Sequence, residues 1–443
     1  MSSNSLISYT KKINILAQPI LVSFISGYIF NIGDQAIIGR TSLEGYAAVG
    51  VVANLLYAIT GTFGILSLTL NIVGSQMLGK NDKTGYGYIF NTSFTLCILI
   101  GIIFQIICIL FGKSILEHLY NLEGLFLQYA YDYLVIAGLG VLLNFIIFIL
   151  SAFFKSQEKT KVLMIASVIG NAVNLLIDYI LVFGKFGFPQ LGVKGAAIGT
   201  VIGLLLTVLI YLFTFRKHAF FRIHFSFHVE SIYTIIKSYI PLIGQEIIES
   251  SGFMLIFTAL LTKLGVIVTG SYNLVMVIIN VLILPVYAFS SVTSTLVAKT
   301  DGPSKNADII NIIFAASLSS TIFLLFSGTI ILSQSAFFCS LITDSPHLIE
   351  EASAIMILAI GIQFFNISNQ ILKSALNALS FEKWVMFYSS LIGVITLFSI
   401  YYSTQIFDLK LVGIFFSFGI NFILLSAGFL FKITLSVKKK SLH

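Results

Sequence analysis

Apolar stretches of about 20 to 30 residues recur along the whole chain, each long enough to cross a hydrocarbon layer of roughly 30 Å at 1.5 Å per helical residue. Such segments cannot all be hidden against one another in water. Of the 443 residues, 57% are hydrophobic and only 10% charged, with a mean hydropathy of +1.00, whereas a soluble domain is about a quarter charged. The sequence therefore predicts an all-α, polytopic membrane protein. Twelve transmembrane helices are expected, over residues 13–38, 46–78, 86–112, 124–153, 162–184, 195–215, 231–262, 266–298, 309–333, 348–380, 385–404 and 410–433. The first is longer than the apolar region of a signal peptide, contains Asp34 and precedes no small-residue cleavage site, so it is expected in the mature protein.

Basic residues in short loops are retained on the cytoplasmic side, and this sets the expected orientation. With the N-terminus inside, only Arg40, Lys113, Lys185, Lys194, Lys263 and Lys410 of the 25 Lys and Arg fall outside. Both termini are thus expected in the cytoplasm and the chain in a bacterial plasma membrane. The same asymmetry accounts for the net charge of +7 without nucleic acid as a partner.

The longest basic connection, Arg216 to Glu230, divides the spans six and six. It predicts an N-lobe over 1–218, an inter-lobe loop over 219–230, and a C-lobe over 231–443 that ends in a basic tail. Internal similarity points the same way. Pro19 and Pro241 each enter the first helix of a half, Gly45 and Gly50 are echoed by Gly265 and Gly270, Glu158-Lys159 by Glu382-Lys383, and Gly195 by Gly413. An even number of spans per repeat makes the two halves face the same way, which predicts pseudo-symmetric lobes around a central cavity and alternating access.

A carboxylate inside a bilayer costs about 2.5 to 3.5 kcal/mol on insertion scales, so buried acids normally face a cavity and do work there. Asp34 and Asp178 lie at matching depths, roughly 7 and 9 Å below the outer ends of the first and fifth spans, and Thr200 lies about 7 Å deep on the sixth. Asn174 precedes Asp178 by one helical repeat on the same face, and Asn171 continues the stripe. Asp34, Asn174, Asp178 and Thr200 are therefore expected to converge. Two carboxylates, an amide and a hydroxyl can share a proton or ligate Na+ through oxygen. The alternative is that the two acids are interface residues bonded to helix ends. Glu249, about 20 Å from the outer end of the seventh span, is a second cavity candidate, while Glu246 one turn deeper reads as snorkelling toward the inner side. Asp132, in the first turns of the fourth span, reads as interfacial.

Other chemistry is set aside on specific residues. Gly74 to Lys80, GSQMLGK, has phosphate-loop spacing, but Asn81 stands where Ser or Thr would hold Mg2+ and the segment closes an apolar helix. ATP is thus not expected as the energy source. Cys97, Cys108 and Cys339 form no CxxC pair and read as buried thiols, and the six His fall outside the spans. No cofactor is expected, and no enzymatic site.

The segment Pro19 to Asp82, with PILVSFISGYIFNIGDQAIIGR and GYAAVG, and the segment Gly170 to Thr200, with GNAVNLLIDYILVFG and LGVKGAAIGT, resemble the multidrug and toxic compound extrusion (MATE) family. The likeness runs over nearly the whole length. It implies a twelve-helix, V-shaped antiporter that exchanges H+ or Na+ for amphipathic, mostly cationic drugs, and it matches Asp34, Asn174, Asp178 and Thr200 to the N-lobe cation and proton site. Pro19 matches the proline at which the first helix bends during transport in some members. Glu249 matches a seventh-helix glutamate of the NorM-like branch, but the expected tenth-helix acid is Asn366. The better fit is the DinF-like branch, with Glu249 as a possible substrate counter-ion. A monomer in the bilayer with a small-molecule substrate is expected. The alternatives are a dedicated natural-product exporter on the same scaffold, or a lipid-linked oligosaccharide flippase, which would need a cluster of central basic residues.

Overall fold

A computed structural model describes residues 3–40, 42–300 and 306–440. Lys305, one of the basic residues assigned to the inner side, lies outside these. Among the described residues the chain is helical, with no strand. The first half comprises α1 (Ser3–Ile38), α2 (Leu43–Gly79), α3 (Lys83–Tyr120), α4 (Gly124–Ser156), α5 (Lys161–Phe183) and α6 (Val193–His218). The second comprises α7 (Val229–Glu246), a π-helical turn (Ile247–Gly252), α8 (Phe253–Thr262), α9 (Val266–Leu282), α10 (Leu284–Lys299), α11 (Asn306–Ser333), α12 (Ser335–Ser340), α13 (Pro346–Gly361), α14 (Gln363–Ala378), α15 (Glu382–Tyr401), a second π-helical turn (Tyr402–Ile406) and α16 (Lys410–Lys440).

Among the described residues ten helical stretches are long and apolar enough to span a bilayer, and there are twelve when each of two bent pairs is counted as one span. The expected continuous spans 266–298 and 348–380 are these pairs: α9 and α10 meet at 46°, α13 and α14 at 44°. Pro285, with no N–H to donate, stands at the first bend, and Gly361 at the second. Between α2 and α3 the chain turns through Asn81 in the left-handed region, φ 63°, and Asp82 accepts from the Gly85 amide at 2.8 Å to start α3. The phosphate-loop lookalike is a helix end.

The chain divides into two compact units, Pro19–Tyr239 (unit I) and Met1–Gln18 with Ile240–His443 (unit II). Both divisions fall inside helices, next to Pro19 in α1 and Pro241 in α7, rather than in the loop at 219–230. A proline removes one i to i−4 bond, and the flanking stretches of one helix can then pack in different surroundings. In unit II, Asn14 on α1 donates to Ser319 on α11 at 2.9 Å. In unit I, an aromatic cluster of Tyr86, Phe90, Phe153, Phe154, Phe215 and Phe221 packs α3, α4 and α6 together, and the Tyr86 hydroxyl pairs with Ser156 at 2.7 Å.

The loop after α6 is bound to unit I. Asn91 on α3 donates to the Arg222 carbonyl at 3.2 Å and accepts from the His224 amide at 3.2 Å. The Ser226 amide donates to Thr95 at 3.2 Å, and His228 stacks on Tyr88 with centroids 4.6 Å apart. A polar stripe inside an otherwise apolar helix thus has partners for its side chains.

The repeat shows in the turns. Ser380 follows Glu158 by 222 residues, as Pro241 follows Pro19, and both turn residues are left-handed, φ 65° and 59°. The same bonds flank them: Lys159 N to Phe154 O at 2.8 Å and Phe381 N to Leu376 O at 3.0 Å. In this register Glu158-Lys159 correspond to Ser380-Phe381, so the Glu382-Lys383 echo stands two residues late.

Candidate functional site

The close approach of α5 and α6 builds the site. Gly195, Gly199 and Gly203 recur every fourth residue along one face of α6, and small residues at that spacing let two backbones meet. A methyl at Gly203 would stand 2.6 Å from Asn174 Cβ and 2.7 Å from the Gly170 carbonyl, and one at Gly199 would overlap the Asp178 carboxylate. Asp178 therefore lies in the space that a missing side chain leaves. Gly33 performs the same service between α1 and α5, where a methyl would come within 2.9 Å of Leu175.

Asp178 is fully buried, and one of its oxygens accepts from Asn174 Nδ2 at 2.7 Å. Asp34, half-buried on α1, faces it within hydrogen-bonding reach. Each of the two carboxyl groups keeps one buried oxygen, Asp34 Oδ1 and Asp178 Oδ1, without a hydrogen-bond partner among the described residues. Thr200 donates to the Ala196 carbonyl at 3.0 Å, which leaves its lone pairs available. Two turns further along, Asn171 donates to Ser26 at 3.4 Å, so α1 and α5 stay in register below the acids. The four residues that the sequence assigned to one cluster are thus neighbours here.

Tyr133 on α4 was not anticipated. Its buried phenol lies beside Thr200 and within electrostatic range of both Asp34 and Asp178, so α4 contributes to the cluster as well. Only its place beside Asp132 in an apolar helix hinted at a polar role. Asp132 itself turns away to Lys194, 3.2 Å off and half-exposed, in keeping with an interfacial residue.

The acids of α7 are placed differently. Glu249 sits in the π-helical turn and is joined to Lys373 of α14 at 2.5 Å. Lys373, counted on the inner side and inside the expected span 348–380, lies within α14, two turns past Asn366 on the same face. Asn366 is buried and donates to Gln363 at 2.8 Å. Glu246 is half-buried one turn before Glu249. Among the described residues no group of three or more His, Cys, Asp or Glu could hold a metal ion.

A sequence model of the MatE family matches residues 19–180 and 241–403, one segment in each half and 222 residues apart at their starts. The chain belongs to the MatE family. Within this family of multi-pass membrane transporters, the chain is 24% identical over 355 residues to a Thermotoga maritima protein described as a probable multidrug resistance protein NorM, covering 79% of this chain and 76% of that one. A Bacillus licheniformis protein of the same description is 27% identical over 265 residues, 58% of each chain. Among solved structures, an outward-facing multidrug resistance MATE transporter of the MOP superfamily shares the fold with a TM-score of 0.87 at 16% identity, over 98% of this chain and 97% of that one. The MatE match begins at Pro19 and Pro241, the same two prolines at which the units divide.

Proposed function

We propose that this MatE-family chain is a secondary active antiporter that expels amphipathic, often cationic drugs or toxins in exchange for H+ or Na+. The observation that carries the reading is the pair Asp34 and Asp178, two carboxyl groups facing each other inside a membrane-spanning bundle, each with a buried oxygen that has no hydrogen-bond partner among the described residues. Like charges at this spacing need a proton or a cation between them. The donor set is all oxygen: two carboxylates, the Asn174 carboxamide oxygen, and the Thr200 hydroxyl. It suits a proton or a bare Na+ equally, and the ion is cargo of the cycle rather than a resident cofactor.

In the proposed cycle the ion enters from outside, binds between Asp34 and Asp178 and favours the state that releases drug. Its loss to the cytoplasm resets the pump. Coupling then equals the difference in ion affinity between the two states. Pro19 supplies a flexible point in α1, fifteen residues before Asp34, because it removes a helical hydrogen bond. The distribution of basic residues supports cytoplasmic termini and a plasma-membrane location. Asn366 in place of an acid supports the DinF-like branch, in which the N-terminal site carries the coupling.

The test is efflux of a fluorescent cationic dye from proteoliposomes under an imposed pH gradient or an imposed Na+ gradient. Wild type should respond to one of them, and Asp34→Asn and Asp178→Asn should each abolish the response. Gradient-driven efflux at the wild-type rate in both variants would overturn the assignment of the site.

A further inference from the structure

The second half has its own charged centre, and its chemistry differs from that of the acid pair. Glu249 and Lys373 meet at 2.5 Å, and their side chains remain 27% and 22% exposed, so a ligand can reach both. On the same helical stretches are buried oxygens that accept nothing. Glu249 Oε1, Gln245 Oε1 one turn earlier on α7, and Asn369 Oδ1 and Asn377 Oδ1, one turn to either side of Lys373, have no hydrogen-bond partner among the described residues. Gln245, Asn369 and Asn377 are each only 5% exposed. Buried carbonyl oxygens without donors are unusual, and here they flank an ion pair.

Resting on the transport reading above, we infer that Glu249 and Lys373 form a charge-neutral ligand site that selects zwitterionic amphiphiles over plain cations. A zwitterion exchanges one ion pair for two: its positive group goes to Glu249 and its carboxylate to Lys373. A plain cation of the same size would separate Glu249 from Lys373 and leave the half-buried lysine ammonium beside a second positive charge. An anion would leave Glu249 uncompensated in the same way. Leaving one charge of a partly buried pair uncompensated is unfavourable, so discrimination follows from what each ligand leaves unpaired. The row of carboxamides on α14, from Gln363 and Asn366 through Asn369 and Gln370, gives the site a polar wall without adding net charge.

Rhodamine 110, a zwitterion, and its methyl ester rhodamine 123, a cation, differ only at the carboxyl group. Binding of each to the full-length protein in lipid nanodiscs reads out the preference. Wild type should bind rhodamine 110 at least about tenfold more tightly, the size expected for one charge-assisted hydrogen bond. Lys373→Gln should remove the preference. The exchanged pair Glu249→Lys with Lys373→Glu should restore it and guards against a single variant that does not fold. Equal binding of the two dyes by wild type, or an intact preference in Lys373→Gln, overturns the inference. Efflux of rhodamine 123 from proteoliposomes is scored separately. Efflux without any binding preference overturns the zwitterion site and leaves antiport standing, whereas a preference without efflux of either dye supports the site and counts against antiport.

Discussion

Replacing Gly199 by alanine tests whether the α5–α6 contact sets the geometry of the acid pair. The added methyl would overlap an oxygen of Asp178 and stand 2.9 Å from its Cγ and 3.0 Å from its backbone nitrogen, where ordinary contact begins at 3.4 Å. Rotating the carboxylate relieves the first clash but not the last, so the two helices must part by roughly half an ångström. Overpacking of this kind costs about 1 to 3 kcal/mol. If that cost falls on the ion-bound geometry, the apparent affinity for the coupling ion drops about 5- to 150-fold. The assay is the initial rate of dye efflux as a function of the imposed ion gradient, with stability followed by a thiol-reactive fluorophore, since Cys97, Cys108 and Cys339 are all buried and become reactive on unfolding. Gly50→Ala, with nothing within 4 Å of the added methyl, is the control and should match wild type in both measurements. A Gly199→Ala protein with wild-type melting and wild-type ion dependence would refute the claim that α6 approaches α5 this closely at Asp178.

Two further outcomes follow from single contacts. Tyr133→Phe removes one hydroxyl from the cluster and nothing from the packing. The apparent ion affinity measured in proteoliposomes should fall by about fivefold, as for one neutral hydrogen bond, while melting stays within about 1 kcal/mol of wild type. Asn91→Ala releases the Arg222 carbonyl and the His224 amide from α3, so limited trypsin digestion should cut at Arg222 markedly faster than in wild type while transport rates change little.

The lengths of the apolar runs, the prolines and glycines that repeat between halves, and the matched depths of Asp34 and Asp178 were all legible along the chain. Each is a local property: how many residues cross a bilayer, and how far a side chain lies from a helix end. The stripe Asn174 and Asp178 was likewise readable, because residues four apart on a helix share a face whatever surrounds them. The GxxxG spacing of Gly195, Gly199 and Gly203 was present too, but which helix it faced was not.

Contacts between distant helices were decided only in three dimensions. Tyr133 joins the site because α4 packs beside α6, and no spacing in the sequence relates position 133 to position 200. Lys373 was counted only as one more inner-side charge, yet it reaches Glu249, 124 residues away in sequence. The same holds for the broken symmetry. The 222-residue register places Ile256 and Ile400 opposite Asp34 and Asp178, so the halves share the turn at Glu158 and Ser380 while their charges differ. Helix lengths and turns are dictated by backbone geometry and recur wherever the pattern recurs. Which charges meet depends on side chains brought together from helices far apart in the sequence, and only the packed structure contains that information.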